Sequence, residues 1–219
     1  KNSDDIFKAG ANVITSGNHI WDHKETTEFI INEKRLLRPE NSLKPVPGAG
    51  YGIFKSKNNL RVAVLNLMAN VFMKKSEDVF NSAKQFIKKV RLKENADFIV
   101  VDIHGETTSE KMAMGYLFDG KATILIGTHT HVPTSDYRIM EKGTAYQTDI
   151  GMCGDYNSVI GMNKDNSLNK FLKKSSTKKH FPALGKATIS GILVTADKKT
   201  GLANKIQQII LGGTLQERF

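Results

Sequence analysis

The sequence is poor in cysteine, in arginine and in long apolar runs, and each shortage narrows what the chain can be. Its one cysteine, Cys153, rules out an internal disulfide framework and suits a reducing compartment, so a cytoplasmic location is expected. No apolar run approaches the roughly 18 to 20 residues needed to span a bilayer. The opening Lys1-Asn2-Ser3-Asp4-Asp5 lacks the apolar core of a signal peptide, so membrane and secreted classes drop out. Only six of the 32 basic residues are arginine, so the formal charge of +10 rests on dispersed lysine. That pattern attracts anions without supplying the planar fork with which arginine reads phosphates and bases. RNA is a compatible partner on charge, but no motif dedicates the chain to it. Glycine-rich segments such as Gly48-Ala49-Gly50 match neither the dinucleotide fingerprint nor a P-loop.

What is present is an ordinary globular composition: 219 residues, 39% hydrophobic and 25% charged, read as a single domain over 1–219. Apolar runs of strand type alternate with segments of helical period, the mark of an α/β protein. Strands are expected at 13–15, 61–68, 97–103, 122–126, 137–140, 144–149, 189–195 and 205–211. Helices are expected at 26–34, 76–92, 107–118 and 168–172, the last leading into a Lys/Ser-rich stretch. In 76–92 the residues Val79, Phe80, Ala83, Phe86, Ile87 and Val90 form one apolar stripe, with Ser76 as the expected cap. Thr107 and Glu110 have the spacing of a capping box. The chain starts with Lys and enters a strand within its first dozen or so residues, so a segment upstream of Lys1 is expected.

Three histidine-bearing loops share one context. Gly17-Asn18-His19, His104-Gly105-Glu106 and Gly127-Thr128-His129-Thr130-His131 each follow an expected strand directly. In open α/β sheets ligands bind outside the carboxyl ends of the strands, where residues distant in sequence converge. Neutral imidazole binds transition metals, and the carboxamide oxygen of Asn18 could complete a mixed nitrogen and oxygen shell for manganese, iron, zinc or nickel. His129 and His131, two apart in an extended segment, face the same way. His23 and His180 are assigned to solvent or packing, Trp21 to packing its loop, and Asp22 to capping the next helix. Cys153, in a glycine-rich loop without an evident base, is read as inert.

Taken in order, these three loops resemble the calcineurin-like metallophosphoesterases. Thr15 to Asp22, Asn66 to Met68, Val71 to Met73, Thr108 to Lys111, Thr148 to Met152 and the segment from Asp155 to Gly161 narrow the likeness to the bacterial YmdB-type phosphodiesterases. The resemblance implies a β-sandwich flanked by helices (α/β/β/α) with a dinuclear iron or manganese centre. It implies hydrolysis of 2',3'-cyclic or 3',5'-cyclic nucleotides, small phosphodiester substrates, in a cytoplasmic enzyme that forms a homo-oligomer. Carried over, Asn18, His104 and His129 match ligands of one metal, His131 a ligand of the other, and His19 the acid that protonates the leaving group.

Against that pattern, the family's opening strands end in a metal-binding Asp and a Glu-Asn pair, and no segment before Asn18 carries either. Asp4-Asp5, placed ahead of a helix, does not substitute. The expectation is an N-terminally incomplete domain lacking its first strands, with weak or single-metal occupancy in isolation. The alternative reading is a catalytically impaired member that regulates by binding RNA or a nucleotide. Smaller departures are Ala69-Asn70, where the family tends to carry Gly, and Gly105 in place of a common Ala.

Overall fold

The computed structural model describes residues 2–174 and 179–219. The β-branched runs read from the sequence form the centre of a six-stranded sheet in the order β1-β2-β3-β4-β6-β5. Its parallel members are β2 (Arg61–Met68), β3 (Phe98–His104), β4 (Ile124–Thr128) and β6 (Ala145–Gln147). The edge strands β1 (Tyr51–Lys55) and β5 (Arg138–Ile139) run antiparallel to their neighbours. Register places Met68, His104 and Thr128 side by side, so the carboxyl ends of three central strands finish level. A second, antiparallel sheet of β7 (Gly154–Asp155), β8 (Ala187–Ala196) and β9 (Ala203–Leu211) packs through β9 against β5 and β6.

Among the described residues there are five helices: α1 (Asn2–Lys8), α2 (Glu25–Asn32), α3 (Val79–Lys89), α4 (Thr108–Phe118) and α5 (Lys164–Phe171). The stripe of α3 buries Val79, Ala83 and Phe86 against Leu65, Leu67, Val101 and Ile103, while α4 contributes Met114 and Phe118 to the same core. Phe86 also meets Tyr51 of β1 edge-on, with ring centroids 5.3 Å apart. The mixed α/β class with two sheets and flanking helices agrees with the sequence reading.

Several local expectations are corrected. The 13–15 segment makes only a single parallel bridge, Ile14 to Leu36, and is not a strand of either sheet. Asp78, not Ser76, caps α3 by accepting from the Asn81 amide at 2.6 Å. Ser76 Oγ instead accepts from the side chains of Asn41 and Asn70. Thr107 stands at the N-cap of α4 without a side-chain bond to the helix's backbone amides. Its hydroxyl donates to Glu110, whose two oxygens accept the amides of Asn70 and Val71 across the sheet end. Asp4 and Asp5 lie inside the first turn of α1. Helix α5 begins earlier than expected, capped by Asn163, and part of the Lys/Ser stretch after it lies outside the described residues. Strand β1 has no counterpart among the expected strands.

Candidate metal centre at the carboxyl end of the parallel strands

Asp102 and His104 sit two apart on β3, so their side chains share a face at the level where β4 ends in Thr128. His104 Nδ1 lies 3.0 Å from Thr128 Oγ1, and that hydroxyl donates to Asp102 Oδ1 at 2.8 Å. Since the single hydroxyl proton goes to Asp102, His104 must donate from Nδ1, leaving a lone pair on Nε2. Burial beside His129 and Lys111 pushes the His104 pKa down to about 3, so the ring is neutral. Burial likewise raises Asp102 to about 6, against hydrogen bonds from Thr15 and Thr128.

His129 is fixed in the same way from the opposite side. Its Nε2 lies 3.1 Å from a carboxylate oxygen of Glu106, and burial lowers its pKa despite that carboxylate, so a neutral ring donates from Nε2. Its bare Nδ1 then faces His104 Nε2 at 3.1 Å, and Asn18 Oδ1 lies 2.9 Å from the same His104 nitrogen. Three acceptors thus converge with no proton to share, an arrangement that electrostatics disfavours unless a cation stands among them. Two donors each ~2.1 Å from one ion and at right angles are ~3.0 Å apart, so the spacing suits a first-row divalent metal. Among the described residues, no group of three His, Cys, Asp or Glu side chains closes around one point. The set is two imidazoles and an amide, with Glu106 turned to His129.

His131 donates Nδ1–H to the Ile160 carbonyl at 2.8 Å, which keeps Nε2 as the nitrogen that can face a ligand. His19 is the outlier: three-quarters exposed, it contacts neither His104 nor His129 and bonds Asp22 through Nδ1 at 2.6 Å. Asp22 therefore serves His19 rather than capping α2, whose N-cap is Lys24. Lys74 bridges Asp22 and the Asn18 carbonyl at 3.2 and 2.7 Å. The bonds from His19 and Lys74 hold the Asp22 carboxyl below its usual range. His23 is exposed just ahead of α2, His180 is exposed, and Cys153 is exposed with Sγ 3.6 Å from the Ser190 carbonyl.

The loops that carry these groups are held from beneath. A Cβ on Gly17 would stand 2.2 Å from the His104 ring, and one on Gly127 would stand 1.8 Å from the Thr148 carbonyl oxygen, so neither position accepts a side chain. His129 and His131 have positive φ, +105° and +67°, which costs on the order of 1–3 kcal/mol each and needs support. Asp149 supplies it: one oxygen accepts both the amide and the hydroxyl of Thr130, the residue between them. That oxygen also accepts from Lys111 Nζ at 2.9 Å in an ion pair shielded completely from solvent. Ala69 fills the space that a Cβ on Gly105 would need, the two being 2.4 Å apart, and their amides bond to His104 and Thr128. The methyl group at Ala69 therefore requires the glycine at 105, beside His104.

Sequence reading found the histidines and Asn18 but not Asp102, Lys111, Asp149 or the orienting role of Glu106. A carboxylate inside the apolar run 98–103, and a lysine on the face of α4 that carries Met114 and Phe118, were the available signals.

A family model described as YmdB-like protein matches residues 1–209. The 2',3'-cyclic-nucleotide 2'-phosphodiesterase of Bacillus subtilis is 39% identical over 206 residues, 94% of this chain and 76% of that protein. The crystal structure of a novel phosphatase from Mycoplasma pneumoniae superposes with a TM-score of 0.86 at 35% identity, over 96% of this chain and 75% of that one. A hypothetical protein from Thermus thermophilus superposes with a TM-score of 0.85 at 32% identity, over 95% and 79%. With its strand-end histidine loops and its two-sheet fold, the chain belongs to the YmdB-like family.

Proposed function

We propose that the protein is a metal-dependent phosphodiesterase that opens cyclic nucleotides, 2',3'-cyclic phosphates first and 3',5'-cyclic phosphates second. The observation that carries this reading is the convergence of Asn18 Oδ1, His104 Nε2 and His129 Nδ1 without a shared proton. The activity named for the Bacillus subtilis relative supports it. On this reading Asn18, His104 and His129 hold one iron or manganese ion and His131 a ligand position of a second. When bound, such ions supply Lewis acidity that makes hydroxide near neutral pH and offsets charge on the phosphate oxygens.

The chain's own residues do the rest. Asp102 through Thr128, Glu106, and the Ile160 carbonyl fix the tautomers of His104, His129 and His131, so that each offers a lone pair without a competing proton. His19, oriented by Asp22 through Nδ1, keeps Nε2 to protonate the departing ribose oxygen. The test is turnover of 2',3'-cyclic AMP by manganese- or iron-reconstituted protein. His19→Ala should lower kcat by about 10²–10⁴-fold with metal content unchanged. His104→Ala should lose metal and activity together; wild-type turnover in both variants would contradict the reading.

A further inference from the structure

A pocket of about 200 Å³ is lined in part by Gly17 and Asn18, the residues that adjoin the His104 ring. Its walls include Trp21, Leu43, Val46 and Met68, and Lys74 stands in its lining. Asn18 belongs to both places: its Oδ1 faces His104, its backbone carbonyl accepts from Lys74, and the residue lines the pocket. A larger cleft of about 320 Å³ near Tyr51 and Lys89 contains neither Asn18 nor any histidine, so it lacks that connection.

We infer that the pocket beside Asn18 is the nucleobase subsite of the enzyme, with Trp21 as its stacking platform. The inference rests on the phosphodiesterase reading for the phosphate end of the ligand. The volume falls short of the roughly 300–1,000 Å³ of pockets that take drug-sized ligands and leaves room for one heterocycle. An indole among aliphatic neighbours suits a π-face, and Lys75, also in the lining, suits an attached phosphate, Lys74 being bonded to Asp22 and the Asn18 carbonyl. The hydroxyl of Ser42, the neutral polar side chain in the lining besides Asn18, is already committed to the Pro39 carbonyl at 2.7 Å. The base is therefore held by stacking and shape rather than by hydrogen bonds to its edge. Purine and pyrimidine nucleotides should both be accepted, with purines bound more tightly by area.

Trp21 is the chain's only tryptophan, so its emission reports on this pocket alone. Manganese-loaded protein is titrated with 3'-AMP and, separately, with ribose 5-phosphate, which lacks the base. The expected result is a saturable change in emission with 3'-AMP and none with ribose 5-phosphate. By calorimetry, Trp21→Ala should weaken 3'-AMP by about tenfold or more while Trp21→Phe largely preserves it. Equal emission responses to both ligands, no response to 3'-AMP, or an unchanged affinity in Trp21→Ala would overturn the assignment. Should Trp21→Ala fail to fold, the emission contrast in the wild-type chain decides alone. Because these are binding readouts, a 3'-AMP response in a chain that does not hydrolyse 2',3'-cyclic AMP would retire the reaction and keep the subsite.

Discussion

Single atoms set the geometry around His104. Gly17 leaves just enough room for the imidazole, and a methyl group there would lie 2.2 Å from the ring. Gly17→Ala is expected to push His104 away from Asn18 and abolish metal retention, which elemental analysis of the desalted variant checks. Ala69 and Gly105 exchange one methyl group across the backbone on either side of His104. Gly105→Ala alone should destabilise by about 1–3 kcal/mol through overpacking, and adding Ala69→Gly should recover most of the loss. Denaturant midpoints of the two variants measure this; an uncompensated double variant would contradict it. That Asn18, His104 and His129 meet was legible because loops at strand ends are where such residues gather, whatever the remaining fold; His19 and His131 stand outside that contact. The contact between Ala69 and Gly105 was not legible, since each residue makes sense only once the other is known to touch it.

At the level of elements, helix α4 acts as a brace between the sheet and the loop after β4. Its Lys111 reaches Asp149 beneath Thr130, and Glu110 ties down the Asn70-Val71 amides. Lys111→Met would leave an unpaired buried carboxylate, so a loss of roughly 3–5 kcal/mol is expected in urea unfolding. A second clasp joins the starts of β2 and β3, where Arg61 and Asp97 are bonded through both side chain and backbone. Those bonds hold the Asp97 carboxyl well below its usual 3.8. An acid with a lowered folded pKa stabilises above the unfolded value, and its contribution fades as pH falls through the folded one. Arg61→Ala should therefore be less stable than wild type at neutral pH, with the difference shrinking below about pH 3. The buried strands were readable from β-branched content, and α3 from its stripe. Helix ends were less readable, because Ser76, Asp78 and Thr107 are all good caps by residue type and tertiary bonds decide which one serves. Strand β1 was missed because the short segment Tyr51–Lys55 follows a Pro/Gly loop and pairs only at an edge of the sheet.

For the whole molecule, the net charge of +10 bears on encounter rather than on fold. If an anionic cyclic nucleotide is the substrate, kcat/KM should fall as salt is raised toward molar ionic strength while kcat stays nearly constant. The two-sheet α/β class was legible in the alternation of elements, and the family in the three strand-end loops. The tautomers of the site were not, because they depend on contacts between β3, β4 and the loops beyond them. On those tautomers rests the proposal that the neutral cluster of Asn18, His104 and His129 binds a transition metal through bare lone pairs. Metal content by elemental analysis after manganese reconstitution and desalting tests it most directly, in the wild-type chain and in His104→Ala/His129→Ala. At least one ion should be retained per wild-type chain, as at other nitrogen- and oxygen-ligated divalent sites, and none in the double variant. Equal metal content in the two proteins would contradict it.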